Sequence, residues 1–272
     1  MKVMQHAASS TFGRTALALV ALTTLGVSSL MAGAPSGKAP APVAPPEAPF
    51  ITGTFSVMYD THFISYGQDV WGAGMDWGDA LIHPSIELDF NLGGGLTFYV
   101  NTWWDVNDLA ETTIGSNIQE IDVNAGFYYV VGDFKFQLGY GAWMYASQTE
   151  HVVDGKVTYS DGFFNPFVTV HGRVADELPF DTGVVAQTGI APGTTLGPVA
   201  LSFPITVSFD TDNFHGGDAG FAYVSAGIGA TVPLTKQIAL SLGVTYYHTQ
   251  SDVIPNVDDD FITGSAGFVV TF

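Results

Sequence analysis

Glu87 and Asp89 stand two residues apart in Ile82 to Leu92 (IHPSIELDFNL), where the intervening positions are Ile86, Leu88, Phe90 and Leu92. Residues at i and i+2 share one face of a strand, so both carboxylates face one way and the apolar set the other. Asp60, Asp105, Glu120 and Asp122 sit in similar alternating runs, and His171 and Arg173 form a basic pair with the same spacing. A carboxylate held away from bulk water must be hydrated, protonated or matched to a cation. The chemistry open to this set is cation attraction or ion pairing, with a bridge from Glu87 to Arg173 or His171 as the expected pair.

Other chemistries find little support. Cysteine is absent, which excludes disulfides, thiolate zinc sites and a lipid-modified N-terminal Cys. The chain has no G-x-S-x-G, H-E-x-x-H or G-x-x-x-x-G-K-[ST] motif, and its histidines are scattered, so neither an enzyme nor a cofactor is expected. Asp210 to Asp218 (DTDNFHGGD) has the flavour of a calcium loop but departs from the EF-hand pattern at Phe214 and lacks its terminal Glu. Asp258-Asp259-Asp260 is a second acidic cluster. Solvated external loops are the expectation for both; a loop-bound divalent cation is the alternative.

The elements that position these residues follow from composition and period. Only 12% of the 272 residues are charged, about half the usual fraction for a soluble domain. With 26 acids against 7 bases, nucleic acid is a poor partner. Residues 1–34 read as a cleaved export signal: Lys2 and Arg14 supply the positive region, Ala16 to Val27 a short apolar core, and cleavage falls after Ala32 or Ala34. Residues 35–49 hold six of the 14 prolines and read as a periplasmic linker. The folded domain is then 50–272.

Within it, period-two alternation is nearly continuous and no run is long enough for a membrane helix. The alternating stretches exceed the ~5 to 6 residues usual in soluble sheets and match the ~9 to 11 of transmembrane strands. Short turns at 93–95, 132–133, 162–165, 193–197 and 233–236 alternate with longer connections. This is the expected pattern of an all-β, antiparallel, up-and-down transmembrane barrel with both termini periplasmic. Twelve strands are expected, near 50–65, 81–92, 95–105, 118–131, 134–147, 153–161, 165–175, 181–192, 198–210, 220–233, 236–249 and 260–272. Ten is the alternative, if the sixth and eighth fail.

The last strand, with Ile262, Gly264, Ala266, Phe268, Val270 and Phe272 on one face, resembles those of outer-membrane barrels that end in an aromatic residue. The resemblance implies the outer membrane of a Gram-negative-type bacterium, contact with its lipid and lipopolysaccharide, and recognition of the strand ending at Phe272 by the barrel assembly machinery. A narrower resemblance rests on SVMYDTHFISYGQDVW (56–71), VGDFKFQLGYGAW (131–143) and NPFVTVHGRVAD (165–176). These segments are similar to a family of uncharacterised porin-like outer-membrane barrels, often called conserved hypothetical proteins, which implies no particular activity.

The barrel register puts Glu87, Asp89, Asp60, Asp105, Glu120 and Asp122 on a large, acidic lumen wall, with His171 and Arg173 facing it. Strands nine to twelve present small residues instead, among them Ser225, Gly227, Ser241, Gly243 and Ser265. At about 2.4 Å of rise per residue along a tilted strand, Asp60, Asp105, Glu120 and Asp122 lie near the outer mouth and Glu87 near mid-depth. With Lys135 and Arg173 as the inward bases, anionic solutes are disfavoured. The leading expectation is a porin-like channel passing cations or small uncharged solutes. The alternative is a closed structural or interaction barrel with acidic external loops. A more distant reading is an outer-membrane lipid hydrolase, because His248 falls in the outward register beside Thr249 and Ser251.

Overall fold

A computed structural model describes residues 49–72, 81–110, 114–115, 117–146, 148–160, 162–176 and 182–272. The expected export signal and all but Pro49 of the linker lie outside these. Twelve antiparallel strands follow in order: β1 (Ile51–Asp60), β2 (Leu81–Gly93), β3 (Leu96–Val106), β4 (Ile118–Val131), β5 (Phe134–Tyr145), β6 (Gln148–Tyr159) and β7 (Phe167–Asp176). Next come β8 (Gly183–Ile190 and Gly193–Leu196), β9 (Val199–Ser202 and Ile205–Asp210), β10 (Gly220–Pro233), β11 (Ile238–Thr249) and β12 (Asp260–Thr271). Each pairs with its chain neighbour, and β1 pairs with β12 from Thr54↔Thr271 to Asp60↔Ser265, so the sheet closes. Closure leaves no long edge to be satisfied, which is what allows strands to cross a bilayer.

The interruptions in β8 and β9 have one cause. Pro192 and Pro204 lack the N–H a ladder needs, and they lie almost opposite each other. The register survives them: Ile190↔Ile205 above the break and Gly193↔Ser202 below it belong to one hairpin, joined across by Phe203 N–H donating to the Pro192 carbonyl at 2.8 Å. The eighth strand therefore extends to Leu196 rather than ending at 192, and its turn narrows to Gly197-Pro198. The sixth strand begins at Gln148, five residues before the expected 153. Both strands on which the ten-stranded alternative depended are formed.

The first strand stops at Asp60 instead of Ser65. Alternation does continue, with Thr61, Phe63, Ser65, Gly67 and Asp69 buried and their neighbours half-buried. It belongs to a loop turned into the lumen, with a small hairpin of Ile64–Ser65 against Gln68–Asp69. Tyr66 (φ 45°) and Gly67 (φ 96°) make its tip in the left-handed region.

Outward positions carry large apolar side chains in the open: Leu138 is 61% exposed and Ile262 63%. Such a surface is stable facing lipid and aggregates in water. Near the short-turn end, Phe90, Phe98 and Phe127 form a ring-to-ring row with centroids 5.9 and 5.4 Å apart. The closing seam has its own device. Gly53 and Phe272 exchange two backbone hydrogen bonds, at 2.8 and 3.0 Å, and the Phe272 ring covers the place a Cβ on Gly53 would take. Gly53→Val should therefore cost about 1–3 kcal/mol of overpacking at the seam. The compact, heat-modifiable barrel recovered after refolding into detergent should fall, and Phe272→Ala in the same chain should restore part of it.

Candidate functional site

Inward-facing side chains divide the lumen into two halves. Toward the long-loop end they are almost fully buried: Trp103, Asp105, Glu120, Asp122, Trp143, Glu150, His171 and Arg173 are each no more than 7% exposed. Toward the short-turn end the lining is mixed: Glu87, Tyr99 and Tyr128 are buried, while Thr97, Lys135, Lys156 and Ser241 are half-buried. The long-loop end is the more completely packed.

The packed half is closed by loops. Residues 61–72, 211–219 and 250–259 fold together into a lid. Asn256 holds the first of them by its backbone, donating from Nδ2 to the Gly67 carbonyl and accepting from the Asp69 N–H, both at 2.9 Å. Asp218 N–H donates to the Asp252 carbonyl at 2.7 Å. Val253 and Ile254 pack on Ala222 and Tyr223 as a small apolar core. Phe63 packs on Leu81 and Trp103, with Val70 and Trp71 against them.

Three anchors tie this lid to the wall. Trp71 Nε1 donates to Asp105 Oδ2 at 3.1 Å. Within the wall beneath it, His83 lies between Asp60, 2.6 Å from Nδ1, and Asp105, 3.3 Å from Nε2. Arg173 donates from Nε to Glu150 Oε1 at 2.8 Å and from Nη1 to the Phe214 carbonyl at 2.9 Å, with its guanidinium 4.2 Å from the Phe214 ring centroid. Tyr66, at the loop tip, stacks on His171 with centroids 4.2 Å apart. His171 Nδ1 is 2.8 Å from the Tyr66 hydroxyl and 2.7 Å from Asp154 Oδ1. Burial, and then the charge of Asp154, push the Tyr66 phenol well above its ordinary value, so it is a neutral group.

The expected acids thus fall in two places. Asp60, Asp105, Glu120 and Asp122 are at the lid, while Glu87 and Asp89 are in the lower wall. Glu87 is 8% exposed, with the Tyr128 hydroxyl donating to it at 3.4 Å and Lys135 among the charges acting on it. The expected bridge from Glu87 to Arg173 or His171 is replaced by pairs along the wall, Arg173 to Glu150 and His171 to Asp154. Geometry explains the correction. Twelve strands about 4.8 Å apart, tilted by about 40°, make a barrel roughly 24 Å across, more than an Arg and a Glu can span together. Adjacent strands are the reachable partners.

Three lumen residues went unread in the sequence: Glu150, Asp154 and Lys156, all on β6. Lys156 lies opposite Gln137 and Thr169 in the ladder, its Nζ 4.9 Å from the Phe167 ring centroid, so Lys135 and Arg173 are not the only inward bases. The alternation Glu150, Val152, Asp154, Lys156 carries their signal, in a stretch whose first residues also read as a connection.

The first acidic loop, expected to be solvated, is packed into the lid. Asp210 accepts from His215 Nδ1 at 2.6 Å, and Phe214 and His215 are buried in the lid. Among the described residues no group of three or more His, Asp or Glu is placed to hold a metal ion. Outside the barrel, Asp260 faces His248 Nδ1 at 2.9 Å and also accepts the Tyr246 hydroxyl. A hydrolase of the Ser-His type needs a hydroxyl at the other imidazole nitrogen. There the Gln250 amide lies 3.4 Å away, and Thr249 is turned inward with its hydroxyl 3.3 Å from the Asp259 carbonyl.

A closed twelve-stranded barrel, apolar outside and polar within, is an outer-membrane β-barrel of the Gram-negative kind. No protein-family profile matches the chain. No curated protein matches it either. Among solved structures it is similar to an outer-membrane channel from Pseudomonas putida F1, at 11% identity and a TM-score of 0.52 over 85% of this chain and 100% of the other. The NanC porin gives 10% identity and a TM-score of 0.49 over 79% and 98% of the two chains. Outer membrane phospholipase A from Escherichia coli gives 14% and 0.40 over 80% and 92%. At these identities the likeness to the Pseudomonas channel is one of fold.

Proposed function

We propose that the protein is a gated, porin-like outer-membrane channel, without enzymatic activity, that passes cations or small uncharged solutes when its lid is displaced. One observation carries this reading: the lid is attached to the wall by side-chain hydrogen bonds and ring contacts, above a lower lumen where Thr97, Lys135, Lys156 and Ser241 remain half-buried. A barrel serving only as a wall plug would gain most from an apolar filling, since buried charge pairs contribute little net stability against a hydrophobic core. The long loops face outward and the short turns face the periplasm. The strand ending at Phe272 is the segment for the assembly machinery, and lipopolysaccharide surrounds the outer rim. The resemblance of segments 56–71, 131–143 and 165–176 to a family of uncharacterised porin-like barrels supports this reading.

The acids at the mouth set the selectivity, because a cleft lined by one sign of charge raises the local concentration of the opposite ion. Planar-bilayer recording in a potassium chloride gradient tests this. Gated openings with a reversal potential of cation-selective sign are expected. A reversal of anion-selective sign would remove the acidic selectivity.

A further inference from the structure

Tyr66 packs its ring against aromatic side chains of the barrel wall and of the lid. Trp143 comes from β5, Asp154 from β6 and His171 from β7, while Phe214 of the lid closes the edge. Trp143 and His171 stack at 5.1 Å and 18°, and the Tyr66 ring lies nearly parallel to both, at 14° to Trp143 and 29° to His171. Phe214 meets it edge-on at 87°. His171 is fully buried beneath Tyr66 and Phe214, and its Nδ1 is tied to Asp154 of the neighbouring strand, a wall contact the loop does not supply. The ring is delivered at a cost, since Tyr66 is a non-glycine residue at φ 45°. It also leaves the slot incompletely matched: His171 Nε2 is buried without a hydrogen-bond partner among the described residues.

Flat stacking partners on the wall, a bond to a hydroxyl and an occupant held at a positive φ describe a solute site held by a stand-in. We infer that Tyr66 occupies the constriction's solute site, and that the solute it mimics is a small, flat, hydroxyl-bearing aromatic ring. This rests on the channel reading and narrows its uncharged solutes to one class. The ring stacks on His171 and Trp143, and the hydroxyl meets His171 Nδ1 beside Asp154. Displacement of Tyr66 by such a ring would also loosen the lid at its tip, which couples solute arrival to opening.

The test uses the full chain with Tyr66→Gly, a residue that accepts the positive φ while removing the ring. Binding of p-cresol and of toluene is followed in detergent micelles by titration calorimetry and Trp fluorescence. Saturable p-cresol binding, about tenfold tighter than toluene, is expected for Tyr66→Gly, the difference being one hydrogen bond to the hydroxyl. The wild type should bind neither in the slot, and adding His171→Phe, which keeps the stacking face, should make the two probes equal. Equal binding of both probes by Tyr66→Gly itself, or none by a barrel shown to be folded by heat-modifiable migration, would overturn the inference. Should Tyr66→Gly fail to close, a refolding yield raised by p-cresol but not toluene supports the slot, and a yield raised by neither counts against it. The binding needs no current, so saturable binding without conductance would count against the channel alone.

Discussion

Arg173→Leu should destabilise the folded barrel by about 3–5 kcal/mol, the usual cost of removing one partner from a buried ion pair. Glu150 has no exposed surface and Arg173 only 2%, so water cannot stand in for the lost guanidinium. The substitution also withdraws the donor to the Phe214 carbonyl and the cation from the Phe214 ring, detaching the lid from β7. Arg173→Lys should recover only part, because one ammonium does not reproduce two guanidinium N–H groups aimed at wall and lid. Arg173→Leu combined with Glu150→Leu should be markedly more stable than Arg173→Leu alone, since the stranded carboxylate goes with its partner. Urea unfolding in micelles, followed by Trp fluorescence, gives all four stabilities. Equal stability of the single and double variants would show that the pair is not what holds this part of the wall.

The second large effect is on conductance. Replacing Thr61 to Gly72 with a short glycine-serine linker removes Phe63, Tyr66 and Trp71 from the lumen while leaving β1 and β2 paired. It also takes away the Gly67 carbonyl and Asp69 N–H that Asn256 holds, so the 250–259 loop loses its hold on the first. Time-averaged conductance should rise by about tenfold or more, because a pore side chains fill conducts only when they leave. Asn256→Ala should move the same way by less, through more frequent openings of an intact lid.

Much of this architecture is legible in the sequence because a barrel strand writes its register into the chain. Glu87 and Asp89 alternate with Ile86, Leu88 and Phe90, and that alternation puts the acids inside and the apolar residues against lipid. The parts that could not be read all depend on where a segment goes after its strand ends. Thr61 to Asp69 alternate as a strand would, yet the chain bends inward, and alternation does not distinguish a strand facing lipid from a loop wedged between lumen walls. Pro192 and Pro204 look like strand ends, but a hairpin held by both neighbours tolerates two missing donors. Height along the axis can be counted from the sequence and points Arg173 and His171 across the lumen, but the diameter of a twelve-stranded barrel forbids that span. Glu150 and Asp154, one strand away, were the acids within reach.

The lid is the central claim, and a paired recording tests it most directly. Wild-type protein and the chain lacking Thr61 to Gly72 are reconstituted in planar bilayers from matched amounts of heat-modifiable, folded barrel, in the same potassium chloride gradient. The wild type should be mostly silent with brief openings, and the shortened chain should carry a steady, cation-selective current. A shortened chain that is folded and silent would contradict the account, because the lumen would then be closed by its own wall and no lid would be needed.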